Sequence, residues 1–245
     1  MRLDVYLCDN GFAHSRTFAK ALIIEGKISV NGKCVTKPSF EVDAEVEISV
    51  ESEEIYVSRG AYKLEGAARA FDFCISGKKC IDVGASSGGF TDYLLKNGAD
   101  HVIAVDSGSG QLAQSLRDDK RVTVFENYNA RYMKKNDFEY SPELAVMDVS
   151  FISATYIIPA LYEVLEIGAD FICLIKPQFE VGRAAIGKGG IVKDENARLY
   201  AVEKVTSFAK SVGFECLKHI KSPINGGDGN VEFLAHFRKI LVKGK

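Results

Sequence analysis

Three carboxylates and one lysine close four apolar runs in this chain of 245 residues. The first run, Cys80-Ile81-Asp82-Val83, passes into Gly84-Ala85-Ser86-Ser87-Gly88-Gly89 and then a helical pattern opening at Phe90. A strand, a glycine-rich turn and a helix make a nucleotide-type pocket, because glycines let the backbone approach a ligand and the helix start presents free N–H groups. The dinucleotide pattern G-x-G-x-x-G is only partly met: Gly84 and Gly89 fit, but Ser86 stands where the second glycine should be. That glycine lets a pyrophosphate touch the backbone, and Asp82 would repel a pyrophosphate while attracting a cation. The stretch Asp82, Gly84, Ala85, Ser86, Ser87, Gly88, Gly89 and Phe90 is therefore expected to bind S-adenosylmethionine, which carries a sulfonium, an ammonium and no phosphate. An NAD site and an ordinary strand-to-helix turn are the alternatives.

His101-Val102-Ile103-Ala104-Val105 ends in Asp106, 22 positions after Gly84. An acid near that spacing can accept both hydrogen bonds of a ribose diol, so Asp106 supports an adenosine-bearing ligand without choosing it. Ser107 is expected on the adenine side, and Asn127 or Asn129 could share that role. Two further runs end in Asp148 and Lys176. Ligands of open α/β sheets bind beyond the carboxyl ends of the strands, so these two should be neighbours above the sheet. A lysine closing so apolar a strand is costly unless paired or functional. A plain structural ion pair is the other reading.

The elements that must hold these residues alternate. Strands are expected over 79–84, 101–106, 121–125, 144–148, 170–175, 214–220 and 231–238, with helices over 89–97, 111–117, 153–166 and 194–212. The alternation predicts a doubly wound α/β sheet. An amphipathic helix is expected from about Ser58 to Phe71 or Phe73. Gly182-Arg183-Ala184-Ala185-Ile186-Gly187-Lys188-Gly189-Gly190 is no P-loop, since glycine follows Lys188 where a Mg²⁺-holding Ser or Thr is required. It reads as a mobile basic loop or a passive connection.

Residues 1–50 read as a separate small unit, with 51–57 as a polar linker and 58–245 as the large domain. Leu3, Val5 and Leu7 seed a helix ended at Asn10-Gly11, and Ser15 caps a second running through Glu25 with Gly26 as its stop. Asn31-Gly32 marks a hairpin. Glu41 to Ile48 alternates acidic and apolar, as a half-buried strand does. Residues 1–40 hold six basic and three acidic side chains, whereas 41–54 hold seven acids and no base. Such a division suits one face that meets phosphates and another turned away, or plain solvated charge.

Composition narrows the classes. The chain is 47% hydrophobic and 26% charged with a net charge of -2, so a nucleic-acid surface must be local. Six scattered cysteines without a C-x-x-C pair suit reduced thiols in a cytoplasmic protein. The four histidines share no metal-ligand spacing, so no metal is expected. No segment reaches the ~18 apolar residues of a membrane span, and the first residues lack a signal core.

Resemblance sharpens this reading. Arg2-Leu3-Asp4, Gly11, Ser15-Arg16, Ala19, Gly26-Lys27-Ile28-Ser29-Val30-Asn31-Gly32 and Lys37-Pro38-Ser39 together resemble an S4 RNA-binding domain. Ser58-Arg59-Gly60-x-x-Lys63-Leu64, Asp82 to Thr91, Asp148-Val149-Ser150-Phe151-Ile152-Ser153, Lys176-Pro177-Gln178-Phe179-Glu180 and Gly229-Asn230-Val231-Glu232-Phe233 follow in order. The whole chain resembles the TlyA-type, haemolysin A-like family of FtsJ-like (RrmJ-like) RNA methyltransferases. The resemblance implies a Rossmann-like class I methyltransferase domain, seven-stranded with the last strand antiparallel, behind a small α+β S4 domain. It also implies S-adenosylmethionine-dependent 2′-O-methylation of ribosomal RNA, on free RNA or a ribosomal subunit.

Carried over by motif, the catalytic tetrad is Lys63, Asp148, Lys176 and Glu232. Asp148 doubles as a cofactor contact, and Arg2, Arg16, Lys20, Lys27, Lys33, Lys37 and Arg59 are the RNA-facing bases. Lys176 would take or hold the hydroxyl proton, if Lys63 and burial lower its pKa, or would orient the hydroxyl. Two features depart from the family pattern: Ser107 and Ser109 replace valine and an aromatic, and Ala61-Tyr62 replaces the commoner Gly-Glu. The rival readings are an RNA-binding protein with an inactive methyltransferase fold and a membrane-active haemolysin, the latter suggested by the family name alone.

Overall fold

In the computed structural model of this chain, residues 1–10, 12–13, 16–43, 46–50 and 56–241 are described. They divide into two units, Met1–Ile55 and Tyr56–Lys245.

In the first unit, Leu3 and Leu7 lie one turn apart on α1 (Leu3–Asp9) and share its buried face. Ala19, Leu22 and Ile23 form the matching face of α2 (Arg16–Ile24). After α2 the chain turns at Gly26, whose φ is 73°. β1 (Ile28–Val30) and β2 (Lys33–Cys34) pair antiparallel across Asn31 and Gly32. Their φ values of 49° and 74° are both positive, as a two-residue hairpin turn of the primed kind requires. β3 (Ile48–Val50) pairs with the other edge of β1, giving the order β2-β1-β3.

The strand expected over Glu41–Ile48 is a correction. Glu41 forms a single bridge to Arg2, and the Val42 N–H donates to the Met1 carbonyl. Ladder pairing begins only at Ile48, because β1 is three residues long and has no more edge to offer. The expected turn at Gly11, the Ser15 cap and Ala44-Glu45 fall outside the described residues.

Asp4 is fully buried at the start of α1. It accepts from Arg2 Nε at 2.9 Å and from Arg16 Nη2 at 3.1 Å, with Lys20 Nζ 4.0 Å away. The Arg2 guanidinium above all, aided by Arg16, holds the Asp4 carboxyl at about 2 against the upward pull of burial, down from 3.8. A carboxyl lowered on folding contributes stability above its ordinary pKa and loses it as pH falls through the lowered one. Between about pH 4 and about pH 2, NMR signals of Leu3 and Leu7 in the whole chain should report unfolding of this unit. Asp4→Asn should erase that acid step, and an identical step in the variant would refute the assignment.

In the second unit, α3 (Gly60–Ala70) precedes β4 (Lys79–Val83), α4 (Gly89–Lys96), β5 (His101–Val105), α5 (Gln114–Arg117) and β6 (Val122–Phe125). Then come β7 (Leu144–Met147), α6 (Ile158–Val164), β8 (Asp170–Ile175), α7 (Pro177–Glu180), α8 (Glu195–Val212), β9 (Phe214–Lys221) and β10 (Phe233–Lys239). The sheet runs β6-β5-β4-β7-β8-β10-β9, with β10 antiparallel to both neighbours. The class I methyltransferase order of seven strands is thus present, with the antiparallel last strand inserted between β8 and β9.

Strand periodicity assigns the two faces. Ile81, Val83, Ile103, Val105, Phe171 and Cys173 pack under α6 and α8. Cys80, Val102, Ala104, Val146 and Ile172 pack under α3, α4 and α5.

Two expected helices are shorter than their patterns. Residues 111–113 are not helical: the Gln111 side chain bonds Ser86 and Leu112 packs on Leu116's side of Gly88, so α5 begins at Gln114. The 153–166 pattern splits into a 3₁₀ turn, Ala154–Tyr156, and α6, where Pro159 sits in the first turn and lacks the N–H needed to continue an earlier helix. Of the expected linker, 51–55 lies outside the described residues. Tyr56 is buried beside Tyr93 and the Val57 N–H donates to Asp92 at 2.9 Å, so the second unit begins at Tyr56, not Ser58. No helix among the described residues is long and apolar enough to cross a membrane.

Candidate active site

The chain reverses direction across the sheet between β4 and β7, and a cleft of about 480 Å³ opens there beyond the strand ends. This is where the strand-order reversal of an open α/β sheet leaves a crevice. Gly84 and Ser86 from the β4 turn, Asp106 and Ser107 after β5, Asn129 after β6 and Asp148 after β7 all line it. Backbone bonds fix this rim: Gly84 N–H donates to the Val105 carbonyl and Asp148 N–H to the Val83 carbonyl. Asp106 accepts from the Ser86 N–H at 2.8 Å and the Gly108 N–H at 2.7 Å. Ser86 meets it by taking a left-handed φ of 49°. Asn129 accepts from the Arg131 N–H and so also caps a 3₁₀ turn.

Gly84 couples the two halves of the cleft. Its φ is 85°, and a Cβ there would stand 2.4 Å from the Asp148 carbonyl oxygen. The glycine is therefore required by the β7 end as much as by any ligand.

Asp82, Ala85, Ser87, Gly88, Gly89 and Phe90 are not part of the cleft lining. Asp82 shares its face of β4 with Cys80, so its side chain points to α4 and accepts from Thr91 Oγ1 at 2.7 Å. It is fully buried, and burial pushes its carboxyl up to about 7. Its Oδ1 has no hydrogen-bond partner. Ala85 and Phe90 are buried, and the Ser87 carbonyl accepts from Ala113. Gly88 abuts Leu116, and Gly89 abuts Ser58 and Gly60, which brings the starts of α3 and α4 together.

At the edge of the cleft, four charged side chains from four elements converge. Lys176 follows β8 and its Nζ lies 2.5 Å from Asp148 Oδ1 and donates to Ser150 Oγ at 2.7 Å. Lys63, on the second turn of α3, places its Nζ 3.6 Å from Asp148 Oδ2 and 2.8 Å from Glu232 Oε2. Glu232 precedes β10 by one residue and is 2% exposed. Gly226 permits its approach, since a Cβ there would lie 2.5 Å from Glu232 Oε1. Lys63 is 8% exposed. Burial pulls its ammonium down, but Asp148 and Glu232 outweigh burial and the net shift is upward. Lys63 is thus a fixed positive charge. Stripping one partner from a buried pair typically costs about 3–5 kcal/mol, so the array is strongly interdependent.

Sequence reasoning missed Gln111, Tyr128, Ser150, Phe151 and Ile152 of the lining. Four of these follow strand ends whose acids were named, and that proximity was the available signal. Phe151 has no such signal for its conformation: it is 92% exposed with a left-handed φ of 64°. Among the described residues no group of three or more His, Cys, Asp or Glu could hold a metal ion.

The RNA-facing candidates are of two kinds. Arg2, Arg16 and Lys20 surround Asp4, and Lys27 pairs with Glu25 at 3.1 Å. Lys33 and Lys37 are exposed with no ion-pair partner among the described residues, and Arg59 is exposed at the start of α3 in the second unit.

Residues 56–239 match the model of the FtsJ-like methyltransferase family, and residues 1–48 match that of the S4 domain. The chain is 43% identical over 239 residues to the 16S/23S rRNA (cytidine-2'-O)-methyltransferase TlyA of Mycobacterium tuberculosis, covering 97% of this chain and 89% of that one. It is 42% identical over 238 residues to Hemolysin A of Brachyspira hyodysenteriae, covering 97% and 99%. A solved structure from Streptococcus thermophilus that carries the hemolysin name superposes with a TM-score of 0.78 at 43% identity, covering 98% of this chain and 88% of that one.

Proposed function

This chain belongs to the FtsJ-like methyltransferase family with an S4 domain ahead of that module, and on that premise we propose that it methylates a ribose 2′-hydroxyl, on a cytidine of ribosomal RNA, with S-adenosylmethionine as methyl donor. The observation that carries the reading is the charge of the cleft. Its lining holds Asp106 and Asp148 and no lysine, arginine or histidine, which suits a cationic donor and gives a pyrophosphate nothing to bind.

Gly84, Ser86, Asp106, Ser107 and Asn129 would hold the donor. When bound, it supplies a methyl group activated by a positive sulfur. Lys176 holds the ribose hydroxyl and, with Asp148, the proton that this oxygen gives up. Lys63 stays charged and, anchored by Glu232, fixes the other Asp148 oxygen. A ribose hydroxyl is a poor nucleophile at neutral pH, so positioning and proton handling carry the rate. Phe151, exposed on the rim, offers its face to the base of the target nucleotide.

The first unit supplies RNA affinity through Lys33 and Lys37. Purified protein and labelled S-adenosylmethionine should place the label on a 2′-oxygen of ribosomal RNA taken from cells that lack the protein. Lys33→Glu with Lys37→Glu should weaken RNA binding and flatten its salt dependence by roughly 1–2 in log–log slope, leaving donor affinity unchanged. Label on a base, or binding of NAD in place of the methyl donor, would contradict the proposal.

A further inference from the structure

We infer that Glu180 is a positioning residue of the transfer site: its buried carboxylate fastens the segment after β7 onto the segment after β8, and so sets Asp148 and Phe151 against Lys176. The inference rests on the methyltransferase reading above. The two segments leave adjacent parallel strands and touch at three places. At one end Lys176 meets Asp148 at 2.5 Å and Ser150 at 2.7 Å. In the middle the rings of Phe151 and Phe179 lie 5.3 Å apart. At the far end Glu180 Oε2 accepts from Ser153 Oγ at 2.6 Å, and Oε1 accepts from the Ala154 N–H at 2.7 Å.

Glu180 is 6% exposed, and α8 completes its environment. Lys204 Nζ donates to Glu180 Oε2 at 3.0 Å and to the Glu180 carbonyl at 2.8 Å. Each oxygen of a desolvated carboxylate is thus engaged, which is what makes a buried charge a firm anchor.

The need for an anchor comes from Phe151. A non-glycine residue at a φ of 64° is strained, and strain persists only where the surroundings impose it. Burial does not hold this residue, since it is 92% exposed. The fastenings on either side of it do. Glu180 does not line the proposed donor cleft, so it acts through the residues it holds.

The chain has no tryptophan, so Phe151→Trp introduces a single tryptophan at the strained position, excited selectively at wavelengths where tyrosine does not absorb. In that background Glu180→Ala should lower the fluorescence anisotropy. In the otherwise native chain it should lower kcat about 10²-fold, the scale of a small misplacement, with KM for S-adenosylmethionine within about twofold. Glu180→Gln, which can still accept from Ala154, should recover most of kcat. Lys204→Met removes only the tie to α8 and should lower Tm while keeping kcat within a few-fold of the parent. A Glu180→Ala chain that loses stability but keeps both kcat and anisotropy overturns the inference.

Should Glu180→Ala not fold, Ser153→Ala breaks the same fastening from the other side, and an unchanged kcat there is equally decisive. A parent chain without methyl transfer rejects the functional reading instead, and the anisotropy still tests the fastening.

Discussion

Lys176→Ala is expected to abolish most methyl transfer while leaving the fold and donor binding in place. Loss of a proton-handling group alone typically costs ~10²–10⁴-fold in rate, and lost positioning of the hydroxyl adds to it. The fold should survive because Asp148 keeps Lys63 at 3.6 Å and its backbone tie to Val83. Donor affinity should survive because Lys176 is not part of the cleft lining. Lys176→Arg sharpens the test, since a guanidinium keeps a charge beside Asp148 but presents it as a planar fork in place of the compact ammonium that meets Asp148 and Ser150. It should be nearly as inactive. Single-turnover rates, calorimetry with S-adenosylmethionine and thermal melts separate these effects. A Lys176→Ala enzyme within a few-fold of the parent rate would remove this residue from the chemistry.

Gly84→Val should remove donor binding and activity together. The backbone at this position has a φ of 85°, and any Cβ meets the Asp148 carbonyl oxygen at 2.4 Å and Val149 at 3.1 Å. A β-branched residue in that conformation carries about 1–3 kcal/mol of strain before any clash is counted. The contact atom is backbone, so relief requires the β7 end to move, and Asp148 leaves Lys176 as it does. The variant should bind S-adenosylmethionine too weakly to measure under conditions that saturate the parent, and should melt earlier. Parental affinity in a folded Gly84→Val chain would mean that the cleft is not the donor site.

Much of this arrangement is legible in the sequence, because it follows from local pattern. Short continuous apolar runs predict the central strands, which are buried on both faces. The Asn31-Gly32 pair predicts its hairpin because few residues tolerate two successive positive φ values. Acids and a lysine at the ends of parallel strands predict a shared rim, since parallel strands all end on one side. Asp106, Asp148 and Lys176 stand there for that reason. Periodicity also bears on Asp82: two residues from buried Cys80, it faces α4 and Thr91, not the crevice.

Other features depend on which elements meet in space. Glu41 to Ile48 has the alternation of a strand, yet among the described residues ladder pairing with the three-residue β1 begins only at Ile48. Gly84 and Gly226 read as turn residues, but Gly84 leaves room for Asp148, 64 positions on, and Gly226 for the Glu232 carboxyl. The bases of the first unit looked alike as charges. Only packing shows that Arg2, Arg16 and Lys20 gather round a buried Asp4 while Lys33 and Lys37 have no ion-pair partner among the described residues. Composition and spacing determined the sheet, its rim and the charges placed on it, because strand patterns act over a few residues. The tertiary structure decided which of those charges touch, because a contact such as Lys63 to Glu232, 169 positions apart, depends on every element between them.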